Sequence, residues 1–220
     1  SHASIAQDHP EGVRDLADGG TWNTLAGQPT DDSEMALALA RALVATGAFD
    51  AEAVAGAYRR WRDSGPFDIG TTTAAGIAAL AGRGRPNAAS ESNGALMRVS
   101  PLGIFCAGDP GRAACLAAED AALTHPNPVC VAASSAHAAA IAAGVGGADP
   151  DAMIAVALAH AGDGAGADAV RRRIVAALDS PPARLDGADQ GHVVLALANA
   201  VHRLHVRQPL EEALIETVAM

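Results

Sequence analysis

One residue in four of this chain is alanine, 55 of 220, while only 3% are aromatic. Alanine has the strongest intrinsic helix preference, and a β-sandwich needs the β-branched and aromatic side chains that are scarce here. The composition predicts an all-α fold. With 50% hydrophobic and 18% charged residues the chain reads as globular rather than disordered, and its length suits one sizeable core.

Charge narrows the function. Fifteen basic residues, all arginine, stand against 25 acidic ones for a net of −10. Such a field repels a phosphate backbone, so nucleic acid is not an expected partner. Cys106, Cys115 and Cys130 are odd in number and lack CxxC spacing, which argues against a disulfide framework or a zinc ribbon and points to the cytoplasm. Each apolar run is broken by Gly, Pro, Asp or His, so no membrane span is expected. The chain opens on Ser1-His2-Ala3, without the charged and apolar regions of a signal peptide.

Residues 1–30 show no helical period and read as a loop-like opening segment, with a turn at Asp18-Gly19-Gly20. Periodicity and breakers then predict a buried helix from Asp32 to Gly47, followed by Ala51 to Asp63, Thr72 to Ala81 and Gly94 to Phe105. The last should be kinked or divided by Pro101. Further helices are predicted over Gly111 to Leu123, Val129 to Ala143, Pro150 to His160, Ala167 to Leu178, Gln190 to His205 and Leu210 to Ala219. No repeat or linker divides the chain, so a single domain over 1–220 is expected.

Four polar clusters interrupt this background. Thr30-Asp31-Asp32-Ser33-Glu34 offers hard oxygen ligands of the kind Mg²⁺ or Mn²⁺ accepts, but Asp31 with Glu34 also has capping-box spacing. Phe67-Asp68-Ile69-Gly70-Thr71-Thr72-Thr73 could hold a cationic group or cap a helix. Glu91-Ser92-Asn93-Gly94-Ala95-Leu96-Met97-Arg98 offers an amide and an open backbone to a phosphate or ribose, or forms a plain turn. Thr124-His125-Pro126 places a stiffened histidine between helices, as a ligand contact or a helix end. His160, His192, His202 and His205 lack metal spacing, and Arg171-Arg172-Arg173 reads as a solvated helix face.

In order and spacing, these four clusters resemble the ADP-ribosylglycohydrolase family, which includes the dinitrogenase reductase-activating glycohydrolases. The resemblance runs from about His9 to the C-terminus. It implies a compact, orthogonal multi-helix bundle with a binuclear Mg²⁺ or Mn²⁺ centre. The implied reaction is hydrolysis of the N-glycosidic bond between ADP-ribose and a protein side chain, usually arginine. The implied metal ligands are Thr30, Asp31 and Asp32, and the implied catalytic carboxylates are Asp31, Asp32 and Asp68. Asp68, in a loop with Gly70 and Thr71, would face the guanidinium. Asn93, Gly94 and Met97 would wrap ADP-ribose, and His125 would contact its phosphate or ribose side. Partners would be ADP-ribosylated proteins or ADP-ribose-containing small molecules, not a membrane.

Two family motifs do not occur in the chain: an N-terminal Gly-Asp-Ala-Leu-Gly helix and a C-terminal Gly-Gly-Asp-x-Asp-Thr, both metal-binding. The chain as it stands therefore predicts a weak or absent metal site and little hydrolysis. The alternatives are a non-catalytic ADP-ribose- or nucleotide-binding module, and a structural helical module whose clusters are all caps.

Overall fold

A computed structural model describes residues 7–10, 12–180 and 191–219. Ser1–Ala3 and Gln190 lie outside the described residues. Ten α-helices follow the opening segment: α1 (Asp31–Thr46), α2 (Ala51–Asp63), α3 (Thr71–Leu80), α4 (Ser100–Phe105), α5 (Pro110–Thr124), α6 (Pro128–Val145), α7 (Pro150–Ala159), α8 (Ala165–Asp179), α9 (Val193–His205) and α10 (Leu210–Ala219). Among the described residues there is no strand, only isolated bridges at Gly19–Thr24 and Ser92–His192. The all-α expectation holds.

Local chemistry explains the helix starts. Side chains of Asp50, Asp109, Asn127 and Asp149 accept the backbone N–H of Ala53, Arg112, Val129 and Ala152 at 2.8–3.0 Å. These caps satisfy donors that a first turn leaves open. Proline stands in the first turn of α4, α5, α6 and α7, where its missing N–H costs nothing. Pro101 divides the stretch expected as one helix: a 3₁₀ turn over Leu96–Arg98 precedes α4.

The alanines explain the packing. Helix α6 buries Ala132, Ala133, Ala136, Ala138, Ala139, Ala142 and Ala143, and such short side chains let α4, α5, α7, α8 and α9 all approach it. One end of α6 joins a cluster with Ile154, Val170, Ile174, Val193, Leu197 and Val201. Its other end joins Met35, Leu39, Val54, Tyr58, Ile77, Val99 and Leu102.

Two expectations are corrected here. Helix α6 is 18 residues long with a mean hydropathy of 1.5, long and apolar enough to cross a membrane, because its polar residues, Ser134, Ser135 and His137, carry no fixed charge. It is 61% buried in the bundle, as its place in both clusters requires. The arginine run is not simply a solvated face: Arg171 donates to the carbonyls of Leu158, at 3.0 Å, and Gly162, tying α8 to α7.

Glycine decides one helix crossing. A Cβ at Gly76 of α3 would lie 2.6 Å from the Cα, Cβ and carbonyl oxygen of Thr124 at the end of α5. Gly76→Ala is therefore expected to destabilise the chain by about 1–3 kcal/mol, the usual cost of overpacking against backbone. Thermal melts followed by circular dichroism check this, and an unchanged midpoint would contradict the crossing.

Candidate active site

Two helix starts and two loops meet around a cavity of about 230 Å³. Asp31 comes from the start of α1, and Gly70 to Thr73 from the start of α3. Ser92, Asn93, Gly94 and Met97 come from the segment before α4, and Gly191 from the turn before α9. Helix N-termini carry unpaired N–H groups and a positive dipole end, which suit an anionic ligand.

The acids at the start of α1 are not spent on capping. The N-cap is Thr30, not Asp31, and it makes no side-chain cap bond. The carboxylate of Glu34 instead accepts from Trp61 Nε1 at 2.7 Å, so the capping box is absent. Asp31 is 8% exposed. Burial, then the charges of Asp32 and Asp68, raise its pKa from 3.8 to about 6. The charges of Asp32 and Asp68 thus both bear on Asp31.

Asp68 does not cap α3 either. Gly70 is the N-cap, without a side-chain bond, while Asp68 Oδ2 accepts from Trp22 Nε1 at 3.0 Å. Trp22 also meets Phe67 edge-on, with ring centroids 6.2 Å apart. Sequence reasoning missed Trp22; the only signal was a lone large aromatic in a segment rich in Asp and Gly.

The Asn93 segment is pinned from three sides. Asn93 N donates to Gly191 O at 2.8 Å, and Val193 N to Glu91 O at 2.9 Å. His192 Nε2 lies 3.0 Å from Glu91 Oε2, and Cys130 Sγ donates to the carbonyls of Ser90 and Ser92. Thr72 Oγ1 and Ser90 Oγ, 2.8 Å apart, fasten the start of α3 to the same loop.

His125 stands behind this wall. It is fully buried, with Nδ1 2.8 Å from Thr124 Oγ1 and Nε2 without a hydrogen-bond partner among the described residues. A Cβ at Gly94 would lie 2.7 Å from both His125 Nε2 and Thr73 Oγ1. Only glycine allows that approach. Burial, and next the charge of Arg98, lower the His125 pKa to about 3, which keeps the ring neutral.

Of the residues expected in the site, the cavity gathers Asp31, Gly70, Thr71, Asn93, Gly94 and Met97. Asp32 and Asp68 act on Asp31 through their charge. Thr30 Oγ1 lies 3.4 Å from Asp32 Oδ2. Thr72, Thr73 and Ser92 of the polar clusters complete the lining, and Gly191 joins it unannounced. Thr30, Asp31 and Asp32 supply hard oxygen donors that suit a divalent cation. Among the described residues no group of three or more His, Cys, Asp or Glu could hold a metal ion, so the donors fit part of a metal centre rather than a whole one.

A larger groove, about 1140 Å³, runs between α1 and α2 and is lined by Arg41, Arg59, Arg60 and Trp61 among others. Its acids are engaged locally: Glu34 with Trp61, Glu52 with Arg59 and Asp50 as a cap. It shares no lining residue with the smaller cavity.

The comparisons with known proteins identify the class to which this all-α bundle belongs. The profile of the ADP-ribosylglycohydrolase family matches residues 1–220, and the chain belongs to that family. It is 35% identical over 134 residues to the ADP-ribosyl-[dinitrogen reductase] glycohydrolase of Rhodospirillum rubrum, covering 59% of this chain and 45% of that protein. It is 34% identical over 107 residues to the ADP-ribosylarginine hydrolase Tri1 of Pseudomonas putida (strain GB-1), covering 43% of this chain and 29% of that one. These matches span less than half the length of either relative. A solved ADP-ribosylglycohydrolase-related protein complex contains a chain that superposes with a TM-score of 0.78 at 26% identity, over 94% of this chain and 70% of that chain.

The raised pKa of Asp31 has a signed consequence. Between about pH 4 and 6 the folded chain keeps a proton that the unfolded chain has released, so stability falls as pH rises through this window. Asp31→Asn should melt higher than the parent chain at pH 7.5 and flatten the pH dependence between 4 and 6. Equal slopes for the two proteins would contradict the crowding of Asp31.

Proposed function

We propose that the chain carries the ADP-ribose-binding part of a metal-dependent glycohydrolase that removes ADP-ribose from a protein side chain, arginine being the acceptor favoured. The observation that carries this is the cavity itself, which joins Asp31 to the starts of α1 and α3 and to the Asn93–Gly94 wall. Its volume falls below the ~300 Å³ of ordinary ligand pockets. It therefore suits the terminal ribose and adjoining phosphate, with the adenosine lying outside.

Each residue has a role in this reading. The Thr71 and Thr72 N–H groups at the start of α3 face phosphate oxygens, and Asn93 offers its amide to ribose hydroxyls. Gly94 lets the sugar approach the backbone. Thr30, Asp31 and Asp32 would hold a Mg²⁺ or Mn²⁺ ion, which when bound lowers the pKa of a water and polarises ribose oxygens. Asp68, with one oxygen held by Trp22 Nε1, keeps the other for a departing guanidinium. Support for arginine as the acceptor comes from one relative, the ADP-ribosylarginine hydrolase Tri1. The three free cysteines, two of them buried, accord with a reducing cytoplasm.

One observation favours a second reading, a binder that does not cleave: among the described residues no complete metal-ligand group is present. Calorimetry with ADP-ribose, with and without Mn²⁺, separates the two when paired with chromatographic assay of ADP-ribosyl-arginine. The enzyme reading expects metal-enhanced binding and release of arginine. Asp31→Asn or Asp32→Asn should lower that release by about 10²-fold or more. Metal-independent binding with no arginine released would establish the binder instead.

Asp68→Ala should leave ADP-ribose affinity within about twofold, because its charge faces the acceptor, not the nucleotide, while arginine release falls by at least about tenfold. Equal losses in both quantities would remove Asp68 from the acceptor side.

A further inference from the structure

The chain buries an arginine behind the cavity, and nothing in the proposed reaction uses it. Arg98 and Asp120 are both fully buried, with Nε 3.0 Å from Asp120 Oδ2. Arg98 Nη2 donates to the carbonyl of Asp120 at 2.9 Å. Nη1 donates to Thr124 Oγ1 at 2.8 Å and reaches the carbonyl of Gly94 at 3.4 Å. The guanidinium lies 4.4 Å from the centre of the Tyr58 ring, and Tyr58 OH donates to Asp120 Oδ1 at 2.7 Å.

Well-packed apolar side chains could fill this space without the cost of desolvating two charges. What an apolar side chain could not do is reach Gly94 on one side and the Asp120 carboxylate on the other. The same Thr124 hydroxyl that accepts from Arg98 pairs with His125 Nδ1, and His125 Nε2 and Thr73 Oγ1 occupy the space that a Cβ on Gly94 would need. Gly94 is thus held by its carbonyl from one direction and by its missing side chain from another.

We propose that Arg98, anchored by Asp120 and Thr124, is a positioning residue that fixes the Asn93–Gly94 wall in the shape that binds the sugar phosphate. This rests on the proposed ADP-ribose reading. It assigns the two sides of the network different work. Thr124 and Arg98 hold the wall, whereas the Tyr58 ring covers the guanidinium and its hydroxyl bonds the far oxygen of Asp120, so that Tyr58 contributes to stability without touching the wall.

Three substitutions in the 220-residue chain test the division: Thr124→Val, Thr124→Ser and Tyr58→Phe. Each is measured for ADP-ribose affinity by calorimetry, for melting temperature, and for hydrogen exchange at the amides of Asn93 and Met97, which donate to Gly191 O and Asn93 O. Thr124→Val should weaken ADP-ribose binding about tenfold, the effect of one lost buried hydrogen bond, and speed exchange at those two amides. Thr124→Ser should restore both. Tyr58→Phe should lower the melting temperature while leaving affinity and local exchange within about twofold of the parent. The proposal is overturned if affinity and exchange follow melting temperature alike in Thr124→Val and Tyr58→Phe. Should the parent chain bind no ADP-ribose, the functional reading falls by itself, and the exchange pattern decides the positioning. Acceleration confined to Thr124→Val supports it, and equal acceleration in both variants overturns it.

Discussion

The Arg98–Asp120 pair is the contact on which the arrangement of this molecule turns. It lies where α2, the 3₁₀ turn and α5 converge, each of them supplying one member: Tyr58, Arg98 and Asp120. Charges with no solvent around them tolerate little movement, because a displaced partner leaves the other uncompensated. Burial alone would lower the pKa of Arg98, but Asp120 and Tyr58 more than offset that, and the guanidinium is held protonated. Thus a single buried cation fixes the distance between the loop that walls the cavity and the helix that carries His125.

Around that anchor, two kinds of residue meet. The alanines of α6 bring many helices close at little conformational cost, since alanine has no side-chain rotamers to lose. The polar motifs then fall at helix starts, where backbone N–H groups are unpaired and an anion is welcome. Asp31 sits among them as an added negative charge, crowded by Asp32 and Asp68, and is disfavoured in its ionised form. A divalent cation would relieve that crowding, whereas a purely structural module gains nothing from it.

Elements set by local chemistry were legible in the sequence. Helix α2 runs from Ala51 to Asp63 as read, because Asp50 caps its start and Gly65-Pro66 stops it. Pro101 divided its stretch as its missing N–H requires. The four motifs named the family, and six of the ten site residues expected from them line the cavity. Contacts between distant residues were not legible. Tyr58 and Asp120 are 62 residues apart, and Trp22 and Asp68 are 46 apart. Neither pair leaves a periodic trace. Asp120 reads as an ordinary acid in an alanine-rich helix, and Glu34 reads as a capping partner until Trp61 is seen to take its carboxylate. His125 looked like a ligand contact by its motif, yet its place is one layer further in, where it shapes Gly94.

The central claim is that the smaller, loop-walled cavity, and not the wider arginine-lined groove, receives ADP-ribose. Titrating ADP-ribose into isotope-labelled chain and following backbone amide shifts tests it most directly. The account predicts shifts confined to Gly70–Thr73 and Ser92–Met97, with Arg41, Arg59 and Arg60 unmoved. Shifts centred on the groove between α1 and α2, with the cavity amides unchanged, would contradict it.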